Sequence, residues 1–213
     1  MEDFFKEVKK MKVKTRLIVL VAIGMGPFLY QRSFSYPPGV GITGKAKNCL
    51  VCHVNNGPWQ DEGNTIIDIL DSETKNSLRQ PDGSFLIEVP RRQTKSVLTV
   101  IGRAKGDKAE SPYRNAWIYV DPKRIETDSL SKFAQGWSTN LPLSCRLVGD
   151  NLEGFEGAKI TVLPMTIMPG DDARDAELEL QVMLTKGESI KGKPKQGMLG
   201  NYLVRPVRLK VLG

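Results

Sequence analysis

The sequence predicts a mainly β fold, an antiparallel β-sandwich preceded by a short helical segment. Apolar and polar residues alternate near the C-terminus. Leu178, Leu180, Val182 and Leu184 interleave with Glu177, Glu179 and Gln181, and Val207, Leu209 and Val211 with Arg208 and Lys210. Period two is the signature of a strand with one buried face. From the turn Pro81-Asp82-Gly83 onward, apolar runs recur between Gly- and Pro-containing turns, and no comparable texture precedes it.

Taken in order, residues 1–35 read as a leader. Lys6, Lys9, Lys10, Lys12, Lys14 and Arg16 precede an uncharged run from Leu17 to Tyr30. Fourteen helical residues cover roughly 21 Å, short of the roughly 30 Å hydrocarbon core, which suits a secretory signal. Ser33-Phe34-Ser35 offers small residues for cleavage before Tyr36. The alternative is an uncleaved membrane anchor over residues 17–30 with its basic end in the cytoplasm. Both place the rest of the chain outside, in the periplasm or on the outer face of the cytoplasmic membrane.

Residues 36–44 (YPPGVGITG) read as a tether, and Lys45 to His53 as a helical turn closed by Asn55-Asn56-Gly57-Pro58. Ile66, Ile67, Leu70 and Leu78 suggest a second helix over 64–78, with Asn64 as its cap. Residues 36–80 thus form a tether and short helical segment, and 81–213 a β domain. Strands are expected at Phe85–Val89, Ser96–Ala104, Ala116–Val120, Ser144–Val148, Lys159–Met165, Glu177–Leu184 and Tyr202–Leu212. Seven strands on this scale suggest a sandwich of immunoglobulin-like size. Pro206 in the last strand implies an edge or a bulge.

The chain carries a formal charge of +7. Residues 1–35 hold seven basic and three acidic residues, +4, so the remainder is only +3. The basic character belongs largely to the leader, and nucleic-acid binding loses its support.

Cys49-Leu50-Val51-Cys52-His53 has the form C-x-x-C-H, the attachment signature of a c-type haem. Two thiols bond covalently to one porphyrin edge, and the adjoining imidazole reaches the iron as proximal axial ligand. His53 is the sole histidine and the cysteines number three. A zinc site would need two further Cys or His ligands, and only Cys145 remains. A disulfide and a redox dithiol are the other readings.

The distal ligand cannot be a second histidine of this chain. Cys145 is a candidate, with Arg146 beside it to hold a thiolate, or it is a small hydrophobe in its strand. Met165 and Met168, at the end of a strand, are the alternative distal donors. Met183 and Met198 are further thioethers, and lysine ligation or an open site completes the possibilities. Trp59, Trp117 and Trp137 are candidates to pack on the haem edge, or are ordinary core residues.

The segment Cys49 to His53 resembles the c-type cytochromes. That resemblance implies thioether bonds from Cys49 and Cys52 and axial ligation by His53. Gly57-Pro58 looks like the family's Gly-Pro element, which supplies a carbonyl to the proximal imidazole. Cys145 alone carries a thematic likeness to small cytochromes with His/Cys-ligated haem. The β region matches no cytochrome domain.

The expected function is one-electron transfer by a monohaem cytochrome to a redox partner, without catalytic residues. The basic loop Lys186–Lys195 is a candidate for steering an acidic partner. Alternatives are a protein that binds or senses a small gas through a displaceable Cys145 or Met, and a structural haem subunit of a membrane redox complex.

Overall fold

The structure is a computed structural model that describes residues 46–125, 132–187, 193 and 195–213. The leader and tether lie outside the described residues. Nine strands are described: β1 (Thr65–Asp71), β2 (Phe85–Pro90), β3 (Lys95–Arg103), β4 (Arg114–Val120), β5 (Trp137–Thr139), β6 (Leu143–Leu147), β7 (Lys159–Pro169), β8 (Ala176–Lys186) and β9 (Leu199–Leu212). They form a four-stranded sheet in the order β1-β3-β7-β5 and a five-stranded sheet in the order β2-β9-β8-β4-β6. All pairings are antiparallel except β2 with β9.

The alternation read in the sequence sets the faces. Leu178, Leu180, Val182 and Leu184 of β8 and Val207 and Leu209 of β9 join Ile87, Val97, Leu163, Met165 and Ile167 in one buried cluster between the sheets. All three tryptophans belong to this cluster, so they are core residues of the sandwich. A second cluster (Leu70, Leu98, Val100 and Ile160, with Leu152 and Phe155 against it) covers the outer face of the four-stranded sheet.

All seven expected strands are present within a few residues. The helical segment is not. Among the described residues the helical elements are three single 3-10 turns, at Cys49–Val51, Glu62–Asn64 and Pro122–Arg124. Residues 65–71 form β1, paired with β3 along its whole length from Thr65↔Arg103 to Asp71↔Val97. Thr65, Ile66, Ile67 and Ile69 are β-branched and favour the pleated conformation. Ile67 and Ile69 face the main core while Leu70 and Ile66 pack in the second cluster, so both faces are apolar and the strand shows no alternation. The sandwich therefore begins at Thr65. Among the described residues, no helix is long and apolar enough to cross a membrane.

Pro206 sits where β9, paired with β8 from Leu199 to Leu209, gains a second partner. Pairing with β2 begins at Val207, and on that side the preceding half of β9 is an edge. The segment after the C-x-x-C-H turn covers it. Gly57 N–H donates to Gly200 O at 2.7 Å, Tyr202 N–H to Asn55 Oδ1 at 3.0 Å and Trp59 N–H to Asn201 Oδ1 at 2.8 Å. The segment thus satisfies backbone groups that an open edge would leave to water.

Candidate haem-attachment site

Asn48 starts the turn, its side chain accepting the Leu50 N–H at 3.0 Å, a local cap of the kind Asn favours. Cys52 N–H and His53 N–H both donate to Cys49 O, at 3.3 and 3.0 Å. That closes one helical turn. Cys52 follows Cys49 by three residues and His53 by four, so all three belong to this turn. Lys195 Nζ donates to Leu50 O at 2.9 Å, closing the turn's carbonyl end.

The turn stands on the outer face of the five-stranded sheet. Cys49 Sγ lies 3.8 Å from Gln181 Oε1, and Gln181 Nε2 donates to Lys47 O at 3.4 Å. Gln181 is almost wholly buried although it faces away from the core, because the turn covers it. Upstream, the buried Lys132 donates to Ala46 O at 3.1 Å and Ile125 O at 3.0 Å. Its burial pulls its pKa down.

The three motif residues differ in environment. Cys49 is half-buried and Cys52 exposed, and both thiols are free. Burial pushes the Cys49 thiol up to about 11, with the Cys52 charge adding to it. A redox-active dithiol needs the opposite, a thiol with lowered pKa. Burial lowers the His53 pKa, which keeps the imidazole neutral, the form that binds a metal. Its Nδ1 is buried with no hydrogen-bond partner among the described residues. Gly57 is turned to Gly200, so the Gly-Pro element supplies no acceptor to the imidazole here. No group of three His, Cys, Asp or Glu side chains able to hold a metal ion occurs among the described residues. Two free thiols and a neutral imidazole on one turn are the donor set that a covalently held porphyrin would use, with His53 as the axial donor.

Cross-strand register places the candidate distal donors. Cys145 of β6 pairs with Ala116 of β4, Ala116 with Met183 of β8, and Met183 with Tyr202 of β9. Paired residues share a face, and Met183 is two residues from Gln181, so this row lies on the face that carries the turn. Cys145 is exposed and Met183 fully buried. Met198 is near the turn through its carbonyl, which accepts from Asn56 Nδ2 at 3.4 Å. Met165 is buried between the sheets and Met168 exposed on β7, both on the other sheet. Arg146 does not attend Cys145. Its guanidinium donates to Val162 O at 2.9 Å and Asp150 Oδ1 at 3.3 Å, on the opposite face of β6.

In the basic loop, Lys186 pairs with Glu110 and Lys195 closes the turn; residues 188–192 and 194 lie outside the described residues. No local pattern marks Gln181, Asn201 or Gly200 as supports of this segment, because their partners lie 132 to 144 positions away. No protein-family profile matches the chain, and no curated protein is detectably similar to it.

Proposed function

We propose that this chain is a monohaem c-type cytochrome that works outside the cytoplasmic membrane and passes single electrons to and from a redox partner. One observation carries the reading. The C-x-x-C-H run is a single closed turn that stands on the sheet through Gln181, with a buried, unpartnered His53 Nδ1. When bound, the haem supplies the one-electron couple. The chain's residues hold and expose it: Cys49 and Cys52 as thioether donors, His53 as axial donor, and the sandwich as a seat. Cys52 is exposed, and Val51 beside it is 57% exposed, which puts the attached edge within reach of a partner. The leader supports an exported location, where such attachment takes place. The raised Cys49 pKa and the absence of further converging ligands among the described residues weigh against the dithiol and zinc readings.

The test is expression of the full chain with and without a haem-attachment system. Expected is one haem per chain that resists acid acetone and gives the spectrum of a porphyrin with both vinyl groups saturated. Cys49→Ala/Cys52→Ala should lose it. A chain that carries no covalent haem, or a double variant that keeps it, refutes the proposal.

A further inference from the structure

Gln181 of β8 is 1% exposed beneath the turn, and its amide is held one way round. Nε2 donates to Glu179 Oε2 at 3.1 Å and to Lys47 O at 3.4 Å. Turned over, the amide would set its oxygen against a carboxylate and a carbonyl, neither of which can donate. Oε1 therefore stays on the side of Cys49 Sγ, 3.8 Å away, and accepts its S–H. Among the described residues Cys49 is the one donor to that oxygen. A thiol is a weak donor, but a buried acceptor left without any donor destabilises by more than the bond itself contributes. Cys52, by contrast, is exposed, within reach of an oxidant.

We infer that the seat opposes closure of a Cys49–Cys52 disulfide: Gln181, oriented by Glu179, favours the free thiol of Cys49, and disulfide formation weakens the docking of the turn. Closure forms one S–S bond and breaks two S–H bonds. Two electrons and two protons pass to a disulfide oxidant such as oxidised glutathione, which departs as two thiols. Cys49 then has no proton to give. Gln181 Oε1 is left unpartnered beneath the turn, because Glu179 and Lys47 O keep the amide from turning. The two effects are one linkage: whatever the seat adds to the dithiol, the disulfide takes from the seat. Cys49 O also accepts the amides of Cys52 and His53, so loosening at Cys49 loosens the whole turn. The inference concerns the haem-free chain and goes beyond the cytochrome reading. In an oxidising compartment, where free thiols pair, the seat keeps both sulfurs as the thiols that thioether formation consumes.

The test uses the haem-free full chain with Cys145→Ser throughout, so that the Cys49–Cys52 pair alone is titrated. Each protein is equilibrated in glutathione redox buffers, quenched and read by mass. Gln181→Leu should close the disulfide with an equilibrium constant several-fold above the parent's. Glu179→Leu should shift it the same way by less, and Glu179→Gln, which still offers an oxygen to Gln181 Nε2, should keep the parent value. Amide exchange at Cys52, His53 and Gly57 should be several-fold faster in the oxidised parent than in the reduced one, and the difference should shrink in Gln181→Leu. Far-ultraviolet circular dichroism checks that each variant folds. Glu179 is partly exposed, so its two variants carry the test if Gln181→Leu does not fold. A closure constant in Gln181→Leu or Glu179→Leu equal to the parent's overturns the inference, as does amide exchange that ignores the disulfide. These outcomes leave the cytochrome reading to its own test, the covalent haem.

Discussion

Gly200→Ala tests whether the turn is seated as described without altering any motif residue. An added Cβ would meet Val54 O at 2.6 Å and Met183 Cε at 2.8 Å. A carbon–oxygen contact relaxes near roughly 3.3 Å, so the Val54 carbonyl must retreat by about 0.7 Å. The methionine end can swing aside, but the carbonyl belongs to the backbone that follows His53. Moving it strains the Gly57 N–H bond to Gly200 O and the Asn55 bond to Tyr202 N–H. Overpacking of this kind costs about 1–3 kcal/mol. For a chain of this size, about 2 kcal/mol lowers Tm by about 4–8 °C. Thermal melts followed by circular dichroism read the loss, and in a chain carrying the proposed haem the absorption spectrum reads whether the imidazole's field has changed. Met183 is fully buried, so Met183→Ala carries a cavity cost of its own, about 2–5 kcal/mol, and the double variant should lose less than the sum of the two single losses, a non-additive pair. A Gly200→Ala protein with unchanged Tm and an unchanged spectrum would refute the docking of residues 54–57 on β9.

Asp107 lies 2.6 Å from Arg103 Nε with both side chains nearly out of solvent, and Arg103 holds its carboxyl below the ordinary 3.8. A depressed carboxyl stabilises the fold above its unfolded value, and that stability fades as pH falls through the folded value. Acid titration of unfolding should show the loss below about pH 4, and Asp107→Asn should flatten it while costing about 3 kcal/mol at neutral pH, because the buried Arg103 keeps its bonds to Asp61 O and Thr65 Oγ1 but loses its counter-charge. Asn201→Ala removes the acceptor of the buried Trp59 N–H; urea unfolding should show a loss of about 1–3 kcal/mol, and a loss below about 0.5 kcal/mol would contradict that bond. In the haem-free chain a thiol reagent at pH 8 should modify Cys52 well before Cys49, whose thiol burial pushes up to about 11; mass mapping that finds Cys49 labelled first would contradict the burial.

The strands were legible where one face is buried and the other wet. The alternation in β8 and β9 fixes their inward residues without reference to any partner. β1 was illegible for the opposite reason. Ile66 and Leu70 meet one cluster and Ile67 and Ile69 another, so its apolar residues fall at spacings that also suit a helix. β5 has three residues, too few to show a period. Pro206 correctly signalled an edge, although only half of β9 is one. The spacing of the C-x-x-C-H run was readable, since it is local. Its seat was not: the contacts of Gln181, Gly200 and Asn201 come from strands distant in sequence, which no local pattern encodes.

The dependence of the turn on β8 and β9 has a consequence in time. Cys49 rests on Gln181, 132 positions later, and Leu50 on Lys195, 145 positions later. In a chain made from its N-terminus at about 5–20 residues per second, Cys49 precedes its own support by about 7–26 s. Throughout that interval both thiols and the imidazole stand clear of the sandwich, open to whatever modifies them. The last strands then close beneath the turn, so its seating on the sheet waits for the C-terminal part of the chain.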